Sequence, residues 1–142
     1  MRVYLDVCCL KRPFDDQSQA RVRLEAEAVL TILALASIQF IRSPAHDLEN
    51  DQNPLLWRAG LVRQWLSELP LETLVAKSLR ERTGALVALG LAGFDALHVA
   101  AAELVGADVF VTTDDRLLAL AKKAVTTVRV TDPVSFAREI AP

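Results

Sequence analysis

Residues 93–118 read GFDALHVAAAELVGADVFVTTDDRLL. Gly93 opens an alanine-rich block, residues 94–105, that suits a helix, and Gly106 closes it as a C-terminal cap. DVFVTT, residues 108–113, is β-branched and aromatic and reads as the clearest strand of the chain. Asp114 is placed to cap a following helix, residues 115–123, whose basic end complements the helix dipole. Helix, strand and helix in one 26-residue stretch are the signature of a crossover unit, which implies a parallel sheet.

The rest of the chain repeats that alternation. Residues 2–7 (RVYLDV) form a strand, followed by a polar turn with Pro13, Asp15 and Asp16. Residues 19–37 carry Val22, Ala26, Val29, Leu30, Leu33 and Ala36 at helical spacing. A short strand is expected at residues 38–42, and Ser43-Pro44 starts a short helix as N-cap and first helical residue. Asn53-Pro54 repeats that signal for a helix over residues 54–69, with Trp57, Leu61, Trp65 and Leu69 on one face as a core or interface stripe. A strand at 71–76, a helix at 77–89 closed by Gly90, a strand at 127–130 and a helix from Asp132-Pro133 to about residue 140 complete the sequence. The fold class is α/β with a mainly parallel sheet and right-handed crossovers, in one domain over residues 1–142.

Composition narrows the function. The chain has 142 residues, 52% of them hydrophobic, with 16 Lys+Arg against 18 Asp+Glu and a formal charge of −2. That length and apolar content suit a single core and exclude extended disorder. No run approaches the roughly 18 apolar residues of a membrane span, and Asp6 interrupts the only apolar run at the amino terminus, so no membrane association is expected and the location is cytoplasmic. The near-neutral charge excludes a protein that coats nucleic acid through a basic surface. Cys8 and Cys9 are adjacent, which rules out a disulfide between them and a cysteine zinc site of ordinary spacing.

Ligands of parallel α/β sheets bind at the carboxyl ends of the strands, and acids stand there. Asp6 ends the first strand, Asp114 follows the strand at 108–113, Asp95 lies in the first turn of its helix, and Glu49 lies on the short helix after the second strand. Asp114 would cap its helix whatever the function, and the dipole favours Asp95 in a first turn. Asp6 is harder to account for structurally, because an unpaired carboxylate in an apolar strand is costly. Carboxylates converging on one cleft repel one another; a divalent cation removes that penalty, and hard oxygen donors favour Mg²⁺ or Mn²⁺. A cation so held activates water and neutralises a phosphoryl oxygen, which points to phosphoester hydrolysis.

VYLDVCCL (residues 3–10) resembles the opening strand of PIN domains, a hydrophobic strand ending in Asp. Asp95, His98, Ala100, Ala102, Gly106 and then Thr112-Thr113-Asp114 are similar to the family's second half, and Ser43 with Glu49 resembles its middle motif. The resemblance implies a three-layer α/β/α sandwich and a Mg²⁺- or Mn²⁺-dependent ribonuclease acting on single-stranded RNA. It places Asp6, Glu49, Asp95 and Asp114 on the metal-binding acids and Thr112 on the hydroxyl residue supporting the last of them. Small members of this family include VapC-type toxins, which form homodimers and are held inactive by a small antitoxin.

Cys8 stands where the family commonly has Asn, Thr or Ser, and supplies a weaker donor. It is the one feature that favours an alternative reading, a catalytically weak module that binds RNA or a protein partner. Asp115 is a candidate outer group of the site. Lys11, Arg12 and Arg58 are the candidate contacts to RNA phosphates. His98 is expected to pack on the alanine-rich face with one hydrogen bond, and no metal role is expected for His46. The first strand carries no D-x-D, because the third position is Cys8, which argues against an aspartate-nucleophile phosphatase.

Overall fold

The computed structural model describes residues 1–124 and 126–142. Among these, four parallel strands form one sheet in the order β2-β1-β3-β4: β1 Arg2–Leu5, β2 Gln39–Phe40, β3 Val109–Val111 and β4 Arg129–Thr131. Eight α-helices accompany them: α1 Val7–Lys11, α2 Ala20–Leu33, α3 Pro44–Asn50, α4 Leu56–Ser67, α5 Ala76–Ala88, α6 Gly93–Leu104, α7 Asp115–Ala121 and α8 Pro133–Ile140. The register pairs Val3 with Phe40 on one side and Val3, Tyr4 and Leu5 with Val109, Phe110 and Val111 on the other.

Side-chain alternation along the central strands builds two cores. Val3, Leu5, Val109 and Val111 face one side, where Ala28, Val29 and Ile32 of α2, Val62 and Leu66 of α4 and Phe136 of α8 pack. Tyr4 and Phe110 face the other, against Leu86 of α5, Ala96 to Ala102 of α6 and Leu117 of α7. This is the three-layer α/β/α arrangement expected. Gly106, at φ +69°, ends α6 in the left-handed conformation that glycine adopts without steric cost, and Ala107 N–H closes the turn on Ala102 C=O at 2.9 Å.

Three expectations need correction. The strand at 71–76 is reduced to a single parallel bridge between Arg42 and Leu71. β2 is only two residues long and α3 begins at Pro44, so there is no ladder for a longer strand to join. The first strand stops at Leu5, not residue 7, because the backbone turns into α1 directly after Asp6. The stripe on α4 is no core stripe: Ala59, Val62 and Leu66 form the buried face, while Trp57 and Leu61 are exposed and Trp65 only borders the core.

The sheet order positions the site. From β1 the chain crosses to β2 on one side, then returns past β1 to β3 on the other. Such a reversal leaves a crevice at the carboxyl ends of the two central strands. Asp6 leaves β1 there and Thr112, Thr113 and Asp114 leave β3, with Asp6 N–H donating to Val111 C=O at 2.9 Å. No helix among the described residues is long and apolar enough to cross a membrane.

Candidate metal centre

Asp6 occupies the N-cap position of α1, yet its side chain makes no capping bond. Its carboxylate turns instead into the crevice, where Oδ2 accepts from Thr112 Oγ1 at 2.8 Å and from Cys8 Sγ at 3.3 Å. It is 4% exposed, so these donors replace water that burial has removed. Thr112 is itself held, because its Oγ1 accepts the Asp114 N–H at 3.1 Å. One hydroxyl therefore ties the end of β3 to the acid at the end of β1. Cys8 also accepts from Thr113 N–H at 3.4 Å, so the residue that departs from the family pattern still serves as donor and acceptor here.

Asp114 behaves differently. Its Oδ1 accepts from Arg116 N–H at 2.9 Å and Leu117 N–H at 3.1 Å, a helix cap in the usual sense. Capping fixes the carboxylate and leaves the other oxygen without a described hydrogen bond. Asp95, the third residue of α6, is partly buried, with no hydrogen bond to its carboxylate among the described residues. Its pKa is pushed up to about 6 by burial and then by the charges of Asp6, Asp114 and Glu49. That influence places all four acids in one electrostatic neighbourhood.

The tightest group of donors is a different set. One atom each from Asp6, Glu49 and His98 lie within 4.8 Å of one another. His98, 1% exposed, contacts Glu49 Oε2 through Nε2 at 3.1 Å and Tyr4 Oη through Nδ1 at 2.6 Å. Tyr4 Oη also lies 2.7 Å from Ser43 Oγ, and burial raises the pKa of this phenol and keeps it neutral. The expectation that His98 merely packs with one hydrogen bond is thus corrected. The sequence held a signal for it: His98 follows Asp95 by three residues, one turn along the same helix face. Tyr4 likewise precedes Asp6 by two residues, the strand repeat.

His46 is a structural residue. Its Nδ1 accepts Ser43 N–H at 3.0 Å as half of a capping box, and its Nε2 donates to Leu5 C=O at 2.8 Å. Burial, reinforced by the neighbouring His98, drops its pKa to about 3, so the ring stays neutral.

Three other predicted site residues are engaged elsewhere. Asp115 points outward and pairs bidentately with Arg21, at 2.7 and 2.8 Å, a partner 94 positions away. Arg12 contacts Glu25 at 2.8 Å, Asp15 at 3.2 Å and Thr113 Oγ1 at 2.8 Å. Arg58 contacts Asp15 at 2.5 Å and Asn53 at 3.0 Å. Arg12 serves the buried Glu25, and both guanidiniums pair with the half-buried Asp15, so each has partners within the fold. Of the three basic residues proposed for RNA, only Lys11 has no ion pair among the described residues.

The donor set fits a divalent cation. Two carboxylates and an imidazole stand close, a third carboxylate resists ionisation, and a positive charge among them relieves that repulsion.

The family model for the PIN domain matches residues 3–123. No curated protein matches the chain. Among solved structures, VapBC-1 from nontypeable Haemophilus influenzae superposes with a TM-score of 0.61 at 12% identity, covering 94% of this chain and 98% of that one. VapBC2 from Rickettsia felis, solved bound to a DNA fragment from its promoter, gives a TM-score of 0.56 at 15% identity, with coverage of 93% and 98%.

Proposed function

Because the chain belongs to the PIN-domain family, we propose that it is a metal-dependent endoribonuclease acting on single-stranded RNA, the toxin of a toxin–antitoxin pair. The observation that carries this is Asp6: a buried carboxylate in a helix-capping position that caps nothing and is turned toward Glu49 and His98. Asp6 and Glu49 would hold Mg²⁺ or Mn²⁺, with Asp95 and Asp114 completing the acidic wall. The cation supplies an activated water and charge neutralisation at the phosphoryl oxygen. Thr112 and Cys8 orient Asp6, and the capping bonds orient Asp114. Asp95, partly buried beside these acids and with no hydrogen bond to its carboxylate among the described residues, is free to face the cation or to orient the attacking water.

The partners follow from surface chemistry and from the solved neighbours. Leu10, Phe14, Leu30, Leu33, Leu61 and Trp65 line an apolar groove of about 340 Å³, and exposed Trp57 meets Phe14 of that lining edge-on. An apolar surface of this kind suits a small antitoxin chain or a second copy in a homodimer. The structures of similar fold are VapBC assemblies, which supports the antitoxin. A cytoplasmic location fits that role. The bond from Cys8 to Asp6 reduces the support for the weak-module alternative, although a thiol is a weaker donor than the usual hydroxyl or amide.

The test is cleavage of a mixed single-stranded RNA pool with Mn²⁺, Mg²⁺ or chelator, beside Asp6→Asn. Metal-dependent cleavage lost in the variant, with the fold intact, is expected. Undiminished cleavage by the variant overturns the mechanism; RNA binding without cleavage under any metal returns the weak-module reading.

A further inference from the structure

Resting on that reading, we propose that His98 is a nitrogen ligand of the bound cation, so that the primary donors are Asp6, Glu49 and His98 and the site prefers Mn²⁺ to Mg²⁺. Of the two histidines, only His98 presents a ring nitrogen to the crevice. Both nitrogens of His46 are consumed by backbone groups of Ser43 and Leu5. In His98 the bond to Tyr4 engages Nδ1 and leaves Nε2 facing Glu49.

The ring is held as metal-binding imidazoles usually are, with its far nitrogen on an oxygen that fixes its orientation. Tyr4 cannot swing away, because its ring is stacked between His46 and Phe110 at centroid distances of 4.4 and 5.2 Å. A phenol oxygen accepts as well as donates. Tyr4 therefore serves both neutral forms of His98: with the proton on Nε2, the ring donates to Glu49; with the proton on Nδ1, it donates to Tyr4 and frees the Nε2 lone pair. The separation is also right. Ligands on adjacent corners of an octahedron with bonds of about 2.1 Å lie roughly 3.0 Å apart. Nε2 and Glu49 Oε2 are 3.1 Å apart. The two donors thus already stand at a spacing that a shared cation bridges, and binding needs the imidazole to turn Nε2 from Oε2 toward the ion and Asp6 to close in on them.

The consequence is selectivity. Mg²⁺ favours oxygen donors and water, whereas imidazole suits first-row transition ions. A four-acid site has no such preference built in; a mixed oxygen–nitrogen site does.

The test is pulsed electron paramagnetic resonance of the Mn²⁺-loaded protein, which reads nitrogen bound to the ion directly. Nitrogen modulation in the wild type, lost in His98→Gln with Mn²⁺ still bound, is expected, together with a drop of about tenfold in Mn²⁺ affinity and little change for Mg²⁺. Should His98→Gln fail to fold, wild-type protein labelled with ¹⁵N-histidine must change its modulation pattern. Mn²⁺ bound without nitrogen modulation overturns the proposal, and RNA cleavage measured on the same sample tells whether the nuclease reading survives it. No Mn²⁺ binding at all overturns both.

Discussion

Asp95→Asn is expected to stabilise the metal-free protein while abolishing cleavage. In the folded chain the Asp95 carboxyl has its pKa pushed up to about 6, from an ordinary value of 3.8, by burial and by Asp6, Asp114 and Glu49. A raised carboxylate pKa means that the folded state holds its proton more tightly than the unfolded chain does. Below pH 3.8 both states are protonated and Asp95 carries no penalty. Between 3.8 and about 6 the unfolded chain ionises first, so stability is lost as pH rises, and above about 6 the full penalty remains. About 2 pH units correspond to roughly 3 kcal/mol, and partial exposure reduces this to about 1–2 kcal/mol. Asparagine is nearly isosteric and cannot ionise, so the variant escapes the penalty. Urea unfolding in chelator from about pH 3 to pH 8 measures it: equal stabilities at about pH 3, and a gap of about 1–2 kcal/mol favouring the variant above pH 6. Saturating Mn²⁺ should close the gap, because the cation neutralises the wild-type carboxylate and binds the variant less well. A variant less stable than wild type at pH 7, or a gap that does not change with pH, refutes the electrostatic account of the crevice.

The other predictions concern the groups around that acid. Tyr4→Phe removes one hydroxyl from a fully buried site and leaves Ser43 and His98 each short of a partner, so chemical denaturation should show a loss of about 2 kcal/mol. In a double-mutant cycle with His98→Leu, the two changes should couple by about 1 kcal/mol, since the second removes a group that the first strands. Arg12→Ala should lower the urea midpoint, because it removes one of the two guanidiniums, Arg12 and Arg21, that pair the buried Glu25, while Lys11→Ala should leave the midpoint unchanged and reduce the salt slope of RNA binding by about one. Asp115→Asn should leave metal-dependent cleavage at the wild-type rate, a direct kinetic check on its assignment to Arg21.

Much of the architecture is local and hence legible in the chain itself. Gly106 after an alanine-rich helix, DVFVTT, and a capping Asp are short-range signals whose partners lie within a few residues; the cap and the helix stop form as the sequence predicts, and the strand forms over Val109–Val111 only. Elements that depend on what lies beside them are less so. LETLVA has the composition of a strand, but a strand needs an edge, and the two residues of β2 do not offer one. The stripe Trp57-Leu61-Trp65 has helical spacing, but which side of α4 faces the sheet is decided by how α4 docks, and the smaller Ala59 and Val62 were buried instead.

The site divides along the same line. The sequence by itself determined that Asp6 and Asp114 stand at strand ends and that Glu49 and Asp95 lie on helices, because strand period and helix punctuation fix where each element stops. It did not determine which charges meet. Arg21 and Asp115 are 94 positions apart, Thr112 and Asp6 106, and His98 and Glu49 49. Only packing the two helical layers onto the sheet took Arg12, Arg58 and Asp115 into the scaffold, gave Cys8 its bond to Asp6, and brought His98 to the acids. For the buried groups those choices rest on desolvation, since a buried charge or imidazole must find a partner within about 3 Å; the exposed Arg21–Asp115 pair rests only on the proximity the fold creates.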